Sequence, residues 1–141
     1  MSLRKLIYVS DATVEFDEAA AVDLAKRAMQ RNSGRQVTGV LAMRDGAFLQ
    51  YLEGPPESLE AVWRLIRKDP RHDIRNHLDY QVEDGERVFP DWHMRYLSMA
   101  DPEAETTMVL DQMFRRMEIP DADYARAAIE AFVAKIADDF S

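Results

Sequence analysis

The chain has 141 residues, which against roughly 100 to 200 residues per domain admits one compact domain with an appendage and excludes two independent cores. Hydrophobic residues at 47% and charged residues at 31% exclude intrinsic disorder, a collagen-like repeat and a coiled-coil rod. Eighteen Lys and Arg against 26 Asp and Glu, a net charge of −8, give a field that repels phosphate polyanions and anionic lipid, so neither direct nucleic-acid binding nor a membrane partner is expected.

Behind Arg4 and Lys5 the apolar stretch 6–9 is too short for a secretory signal, so a cytoplasmic location is expected. That stretch, Leu6, Ile7, Tyr8 and Val9, is β-branched and aromatic and ends at Ser10 and Asp11, as a buried strand does. From Asp17, an N-cap followed by acidic Glu18, apolar residues recur at Ala21, Leu24, Ala25 and Ala28 and predict an amphipathic helix that stops by Asn32, Ser33 and Gly34. Residues 37–43 and 47–52 are apolar runs around Asp45 and Gly46, a strong hairpin signal. Leu59, Val62, Trp63 and Ile66 follow helical spacing, and Pro70 stops that helix by Asp69.

Two further strands are expected, a weaker one over 74–82 closed by Asp84 and Gly85, and a stronger one over 89–98. The order β-α-β-β-α-β-β predicts an α+β, ferredoxin-like sheet with both helices on one face. After Asp101 and Pro102 strand formers thin out. Leu110, Met113, Phe114 and Met117 form one stripe and Ala125, Ala128, Ile129, Phe132, Val133 and Ile136 another, so two C-terminal helices separated by Pro120 are expected. Each must bury its stripe on the open sheet face, on the other helix or on a second copy of the chain. The chain therefore divides at residue 99 into a domain of 1–99 and a helical extension of 100–141.

Familiar catalytic chemistry is missing. Cysteine is absent, which removes disulfides, thiolate metal sites, thiol nucleophiles and cysteinyl photoadducts. The five glycines fit neither a dinucleotide nor a P-loop pattern, and His72, His77 and His93 include no HExxH, so no metal site is expected. No serine lies in a G-x-S-x-G elbow.

Gln50 is the anomaly. Strand alternation places it on one face with Phe48 and Leu52, an amide among apolar neighbours, and an unpaired buried amide costs about 1 to 3 kcal/mol. Tyr8 faces it from the adjacent strand in a ferredoxin-like order, and a phenol can donate to the amide. This pair reads either as a satisfied core contact or as part of a site. Leu24 and Asn32 on one helix, Ile66 and Asp69 on the other, and Tyr8 and Gln50 beneath them would line a slot with apolar walls and polar edges, the makeup of a small-molecule site. By alternation Trp92 and Met94 share one strand face.

These residues resemble the BLUF domain, the flavin-using blue-light sensors, from about Leu3 to Leu97. The resemblance is carried by residues 6–10, Asn32, residues 37–41, Asp45 and Gly46, residues 48–54, residues 69–72, and Phe89, Pro90, Asp91, Trp92, His93 and Met94, in the family's order and spacing. It implies a noncovalent flavin, FAD with FMN as the alternative, between the two helices. It places Tyr8 and Gln50 at the ring edge, Asn32 at the N3 and C4 carbonyl region, Leu24 and Ile66 sandwiching the ring, and Asp69, Arg71 and His72 near the C2 edge. Arg31 and Leu65 depart from residues common in the family, so Arg31 is read either as a phosphate contact or as a charge on the helix C-terminus. The implied chemistry is light-driven electron and proton transfer from Tyr8 through Gln50, with Trp92 and Met94 relaying the rearrangement to strand five.

The expectation is thus a photosensory signalling protein and not an enzyme, with an unidentified downstream protein partner and a homodimer formed through the C-terminal stripes. The competing readings are a ferredoxin-like ligand-binding or dimerisation module without photochemistry, and a flavin or acylphosphatase-like enzyme on the same fold.

Overall fold

A computed structural model describes residues 2–118 and 122–140. The elements follow in the order β1 (Ser2–Ala12), α1 (Glu18–Ser33), β2 (Thr38–Arg44), β3 (Ala47–Gly54), α2 (Pro56–Lys68), β4 (His72–Glu83), β5 (Arg95–Tyr96), α3 (Glu105–Arg116) and α4 (Ala122–Asp139). The sheet order is β4-β1-β3-β2-β5, antiparallel except for the parallel β2 and β5 pair. This is the α+β arrangement expected. Pro120, expected to part the last two helices, lies outside the described residues. Among the described residues no helix is long and apolar enough to cross a membrane.

Local chemistry sets the boundaries. Asp17 caps α1 by accepting from the Ala20 amide at 2.8 Å, satisfying one of the helix's orphan donors. The β2 and β3 hairpin turns at Asp45 and Gly46, both with positive φ, the conformation that the tight, twisted two-residue turn demands. Pro56 occupies the first turn of α2, where its missing N–H costs no hydrogen bond.

The sheet has two covered faces. Leu6, Tyr8, Leu41, Phe48 and Leu52 meet Ala21, Ala25 and Ala28 of α1 and Leu59, Val62, Trp63 and Ile66 of α2. Ile7, Val9, Val40, Ala42, Leu49 and Tyr51 meet Leu110, Met113 and Phe114 of α3 and Ile129, Val133 and Ile136 of α4. Period-two alternation along β1 and β3 therefore divides two cores. Of the three destinations open to the C-terminal stripes, the far sheet face and the other helix are the ones taken.

Two expectations about strands reverse. The segment foreseen as weak is the long strand β4, because it pairs with β1 almost end to end; tertiary pairing overrides its modest propensity. The segment foreseen as strong, 89–98, shrinks to Arg95 and Tyr96. Pro90 cannot donate to a ladder, and the amides of Val88 and Phe89 are taken by the Glu53 carboxylate at 3.0 and 2.7 Å. Strand alternation therefore fails at 92 and 94. Trp92 packs with Phe89 in the core shared with α3 and α4, whereas Met94 is buried in the other core with Tyr8.

Gly39 shows how closely strand and loop approach. A Cβ there would lie 1.8 Å from the Tyr51 carbonyl oxygen, and its amide donates to the Trp92 carbonyl at 2.7 Å. We expect Gly39→Ala to destabilise the fold by about 3 kcal/mol or more, measured by urea unfolding; a loss within error of zero would show that the strands separate freely at this point.

Candidate functional site

A cavity of about 250 Å³ opens between α1 and α2 above the sheet. Leu24, Arg27, Ala28 and Arg31 line it from α1, Leu65 and Ile66 from α2, and Tyr8, Leu41, Phe48 and Gln50 from the sheet, while Phe16 from the segment before α1 and Asp69, Arg71 and His72 complete the wall. Phe16 closes edge-on against Phe48, with ring centroids 5.1 Å apart. Apolar walls with a few placed polar groups are the makeup of a small-molecule site.

The cavity floor holds a chain of three side chains. Tyr8 and Gln50 are register partners on β1 and β3, both essentially inaccessible to solvent. The Tyr8 phenol donates to Gln50 Oε1 at 2.5 Å. Gln50 Nε2 in turn donates to Met94 Sδ at 3.4 Å. A thioether only accepts, so this contact fixes which end of the amide faces strand five. Burial pushes the Tyr8 phenol well above its ordinary range, with Arg31 acting against the shift and Asp69 with it; the phenol is protonated at rest and bound to act as a donor.

At the cavity edge Arg71 grips Asp69 with its Nε and Nη2, at 2.9 and 2.5 Å, and its amide donates to the same carboxylate at 3.0 Å. These bonds hold the Asp69 carboxyl down to about 2. His72 Nε2 lies 2.8 Å from the Ile66 carbonyl and Nδ1 2.7 Å from Ser10 Oγ. A carbonyl only accepts, so Nε2 carries a proton and the ring is fixed on both sides.

Of the residues read from the sequence, Tyr8, Leu24, Arg31, Gln50, Ile66, Asp69, Arg71 and His72 converge on this cavity. Asn32 sits behind it, fully buried; its Nδ2 donates to the His93 carbonyl at 2.9 Å and its Oδ1 accepts from Arg31 Nε at 3.3 Å. Trp92 and Met94 flank a separate surface groove beside α1. Phe16, Arg27, Ala28, Leu41 and Phe48 line the cavity without having been singled out. The inward side of Phe48 follows from its alternation with Gln50, but Phe16 precedes α1 in irregular chain that carries no periodic signal. Among the described residues no cluster of His, Asp and Glu is placed to hold a metal.

Comparison with known proteins agrees with this geometry. The family described as "BLUF: Sensors of blue-light using FAD" matches residues 3–95, so the chain belongs to the BLUF family, flavin-using sensors of blue light. Photoactivated adenylate cyclase subunit beta of Euglena gracilis is 35% identical over 71 residues, 50% of this chain and 8% of that protein. The blue light- and temperature-regulated antirepressor BluF of Escherichia coli K12 is 36% identical over 70 residues, 50% of this chain and 17% of that protein. The chain thus spans a small part of the curated relatives it matches. The dark-state structure of BlrB, a BLUF protein, superposes with a TM-score of 0.71 at 27% identity, covering 94% of this chain and 96% of that one. Within the described residues the chain is a sensor domain with two further helices and holds no separate catalytic domain.

The Asp69 pair sets an acid limit. Its carboxyl titrates lower in the fold, about 2 against 3.8, so its contribution is complete above the unfolded value and is lost as pH falls through the folded one. Asp69→Asn is expected to flatten the stability-against-pH curve between about pH 4 and pH 2, read by urea unfolding; a slope equal to that of the unaltered chain would mean that the pair contributes nothing.

Proposed function

We propose that this chain is a blue-light photoreceptor in which residues 1–99 hold a noncovalent flavin, FAD with FMN as the alternative, and residues 100–141 pass the signal to a downstream protein partner. Family membership supports the flavin and the light. The observation that carries the mechanism is the floor of the cavity, where Tyr8, Gln50 and Met94 form one chain of hydrogen bonds.

The residues fit a flat heteroaromatic ring with a phosphate tail. Leu24 and Ile66 face one another from the two helices, and the polar groups lie at the floor and rim of the cavity. Arg31 is partly buried in the cavity wall, and among the described residues its guanidinium makes one hydrogen bond, a long one to Asn32; its other N–H groups are suited to phosphate. Asp69, Arg71 and His72 take the opposite edge. The Asn32 amide, beside Arg31, is assigned to the ring's N3 and C4 carbonyl side. When bound and excited, the flavin supplies a strong acceptor for an electron and a proton.

Tyr8 is the donor. Loss of an electron makes its phenolic proton strongly acidic, and Gln50 Oε1 at 2.5 Å is the base in reach. The amide accepts this proton on oxygen and gives one up from nitrogen, to be taken up with the electron by a bound flavin. When the electron and a proton return to Tyr8, the phenol is restored and Gln50, by rotating or tautomerising, is left in a different pattern of donated and accepted bonds. Where the amide rotates, its oxygen faces Met94 Sδ, two acceptors meet and the former hydrogen bond is lost. Strand five, paired with β2 over two residues and bonded to it on either side through the Trp92 carbonyl and the Leu97 amide, is the bistable element that this change biases. Trp92, on the other side of the same short segment, packs with Phe89 and with Phe140 at the end of α4, so the change reaches the C-terminal helices. Their outer surfaces keep Met108 and Tyr124 half-exposed and are assigned to the downstream partner or to a second copy of the chain in a homodimer.

Blue light is expected to produce a small reversible red shift in the yellow protein without bleaching. Tyr8→Phe and Gln50→Leu should keep the cofactor and abolish the shift, whereas Asn32→Ala should weaken flavin retention about tenfold, from the loss of roughly 1.5 kcal/mol of hydrogen bonding. A normal photocycle in either floor variant would overturn the assignment, and a colourless protein after incubation with FAD would favour a module without photochemistry.

A further inference from the structure

Glu53 is a fully buried carboxylate that the photochemistry does not use. Isolated burial of such a charge is strongly unfavourable, yet this one accepts four hydrogen bonds. The Tyr51 phenol and the Val88 amide donate to Oε1 at 2.9 and 3.0 Å. The Phe89 amide donates to Oε2 at 2.7 Å, with the Thr38 hydroxyl at 3.5 Å. Arg87 lies just beyond, donating to Thr38 Oγ1 and to the carbonyls of Glu53 and Gln36.

Two of those four donors belong to the loop that leads from β4 into strand five. Downstream of it the chain is held by Gly39 and Asn32 on the carbonyls of Trp92 and His93, by His93 Nδ1 at the Val37 carbonyl, by Gln50 on Met94, and by the two-residue pairing with β2 that the Leu97 amide extends onto the Leu41 carbonyl. We propose that Glu53 is a positioning residue for the photochemical site: by anchoring the amides of Val88 and Phe89 it fixes where strand five enters and so holds Met94 against the Gln50 amide. Both oxygens must accept, because the Val88 and Phe89 N–H groups cannot turn round. A glutamine in its place puts its NH2 against one of the two loop amides whichever way it faces, whereas the Tyr51 and Thr38 hydroxyls can reverse.

The link to the light cycle rests on the function proposed above, so the test has an arm read in the dark. In FAD-loaded Glu53→Gln, amide exchange of residues 93–97 should be roughly tenfold faster, with β1 and β3 unchanged, the loss expected for one broken buried hydrogen bond. After illumination, return of the dark spectrum should be about threefold slower or more, because the resting arrangement of strand five has lost its anchor. Equal exchange, or recovery at the original rate, would overturn the assignment. If Glu53→Gln does not fold, Tyr51→Phe removes one donor while leaving the acid and both loop amides; the same comparison should then show a smaller change of the same sign, and no change would overturn it. A chain with no light-induced shift sinks the photoreceptor reading while the dark exchange still decides the role of Glu53.

Discussion

One constraint organises the molecule: a buried amide must find partners for both of its ends. Gln50 lies nearly buried on the sheet face that α1 and α2 cover, and its oxygen and nitrogen are answered by Tyr8 and Met94 respectively. The two partners differ in kind. A phenol can donate or accept, whereas a thioether only accepts, so the Met94 contact makes the amide's orientation readable by strand five. A core built only of aliphatic groups would be insensitive to such a reversal.

In the proposed mechanism the two-faced sheet turns this local sensitivity into a means of communication. Tyr8 and Gln50 point to the cavity side, while their chain neighbours Ile7, Val9, Leu49 and Tyr51 point to the core shared with α3 and α4. The segment before β5 crosses between these environments within three residues, Trp92 in one and Met94 in the other. Arg95 lies over the rings of both Trp92 and Phe140, 4.4 Å from each centroid. In the proposed mechanism a movement of Met94 is delivered, through a short covalent link, to the end of the last helix. Close packing favours discrete rearrangement over gradual deformation in such a segment.

Most of the fold was legible in the sequence because periodicity and punctuation agreed. The Asp45 and Gly46 turn, the Asp17 cap and the stop at Pro70 placed β2, β3, α1 and α2, and alternation around Phe48, Gln50 and Leu52 chose the correct face. The Tyr8 and Gln50 contact followed from strand order alone. What the sequence concealed depended on partners remote in the chain. β4 owes its length to β1, and residues 89–94 are diverted from the sheet by a carboxylate at position 53, so the alternation that paired Trp92 with Met94 had no strand to act on. Phe16 was invisible for a related reason, since a lone aromatic in irregular chain acquires a role only when the hairpin brings Phe48 beneath it. The helix stripes fixed that α3 and α4 must be covered, but not by what.

The most direct test of the account follows the Gln50 side chain itself. In protein loaded with FAD and labelled with nitrogen-15 at glutamine side chains, the Gln50 amide protons should shift on blue illumination and return in the dark, with the amides of residues 93–97 moving in step. A Gln50 signal that stays fixed while the absorption spectrum shifts would contradict the claim that this amide exchanges its partners.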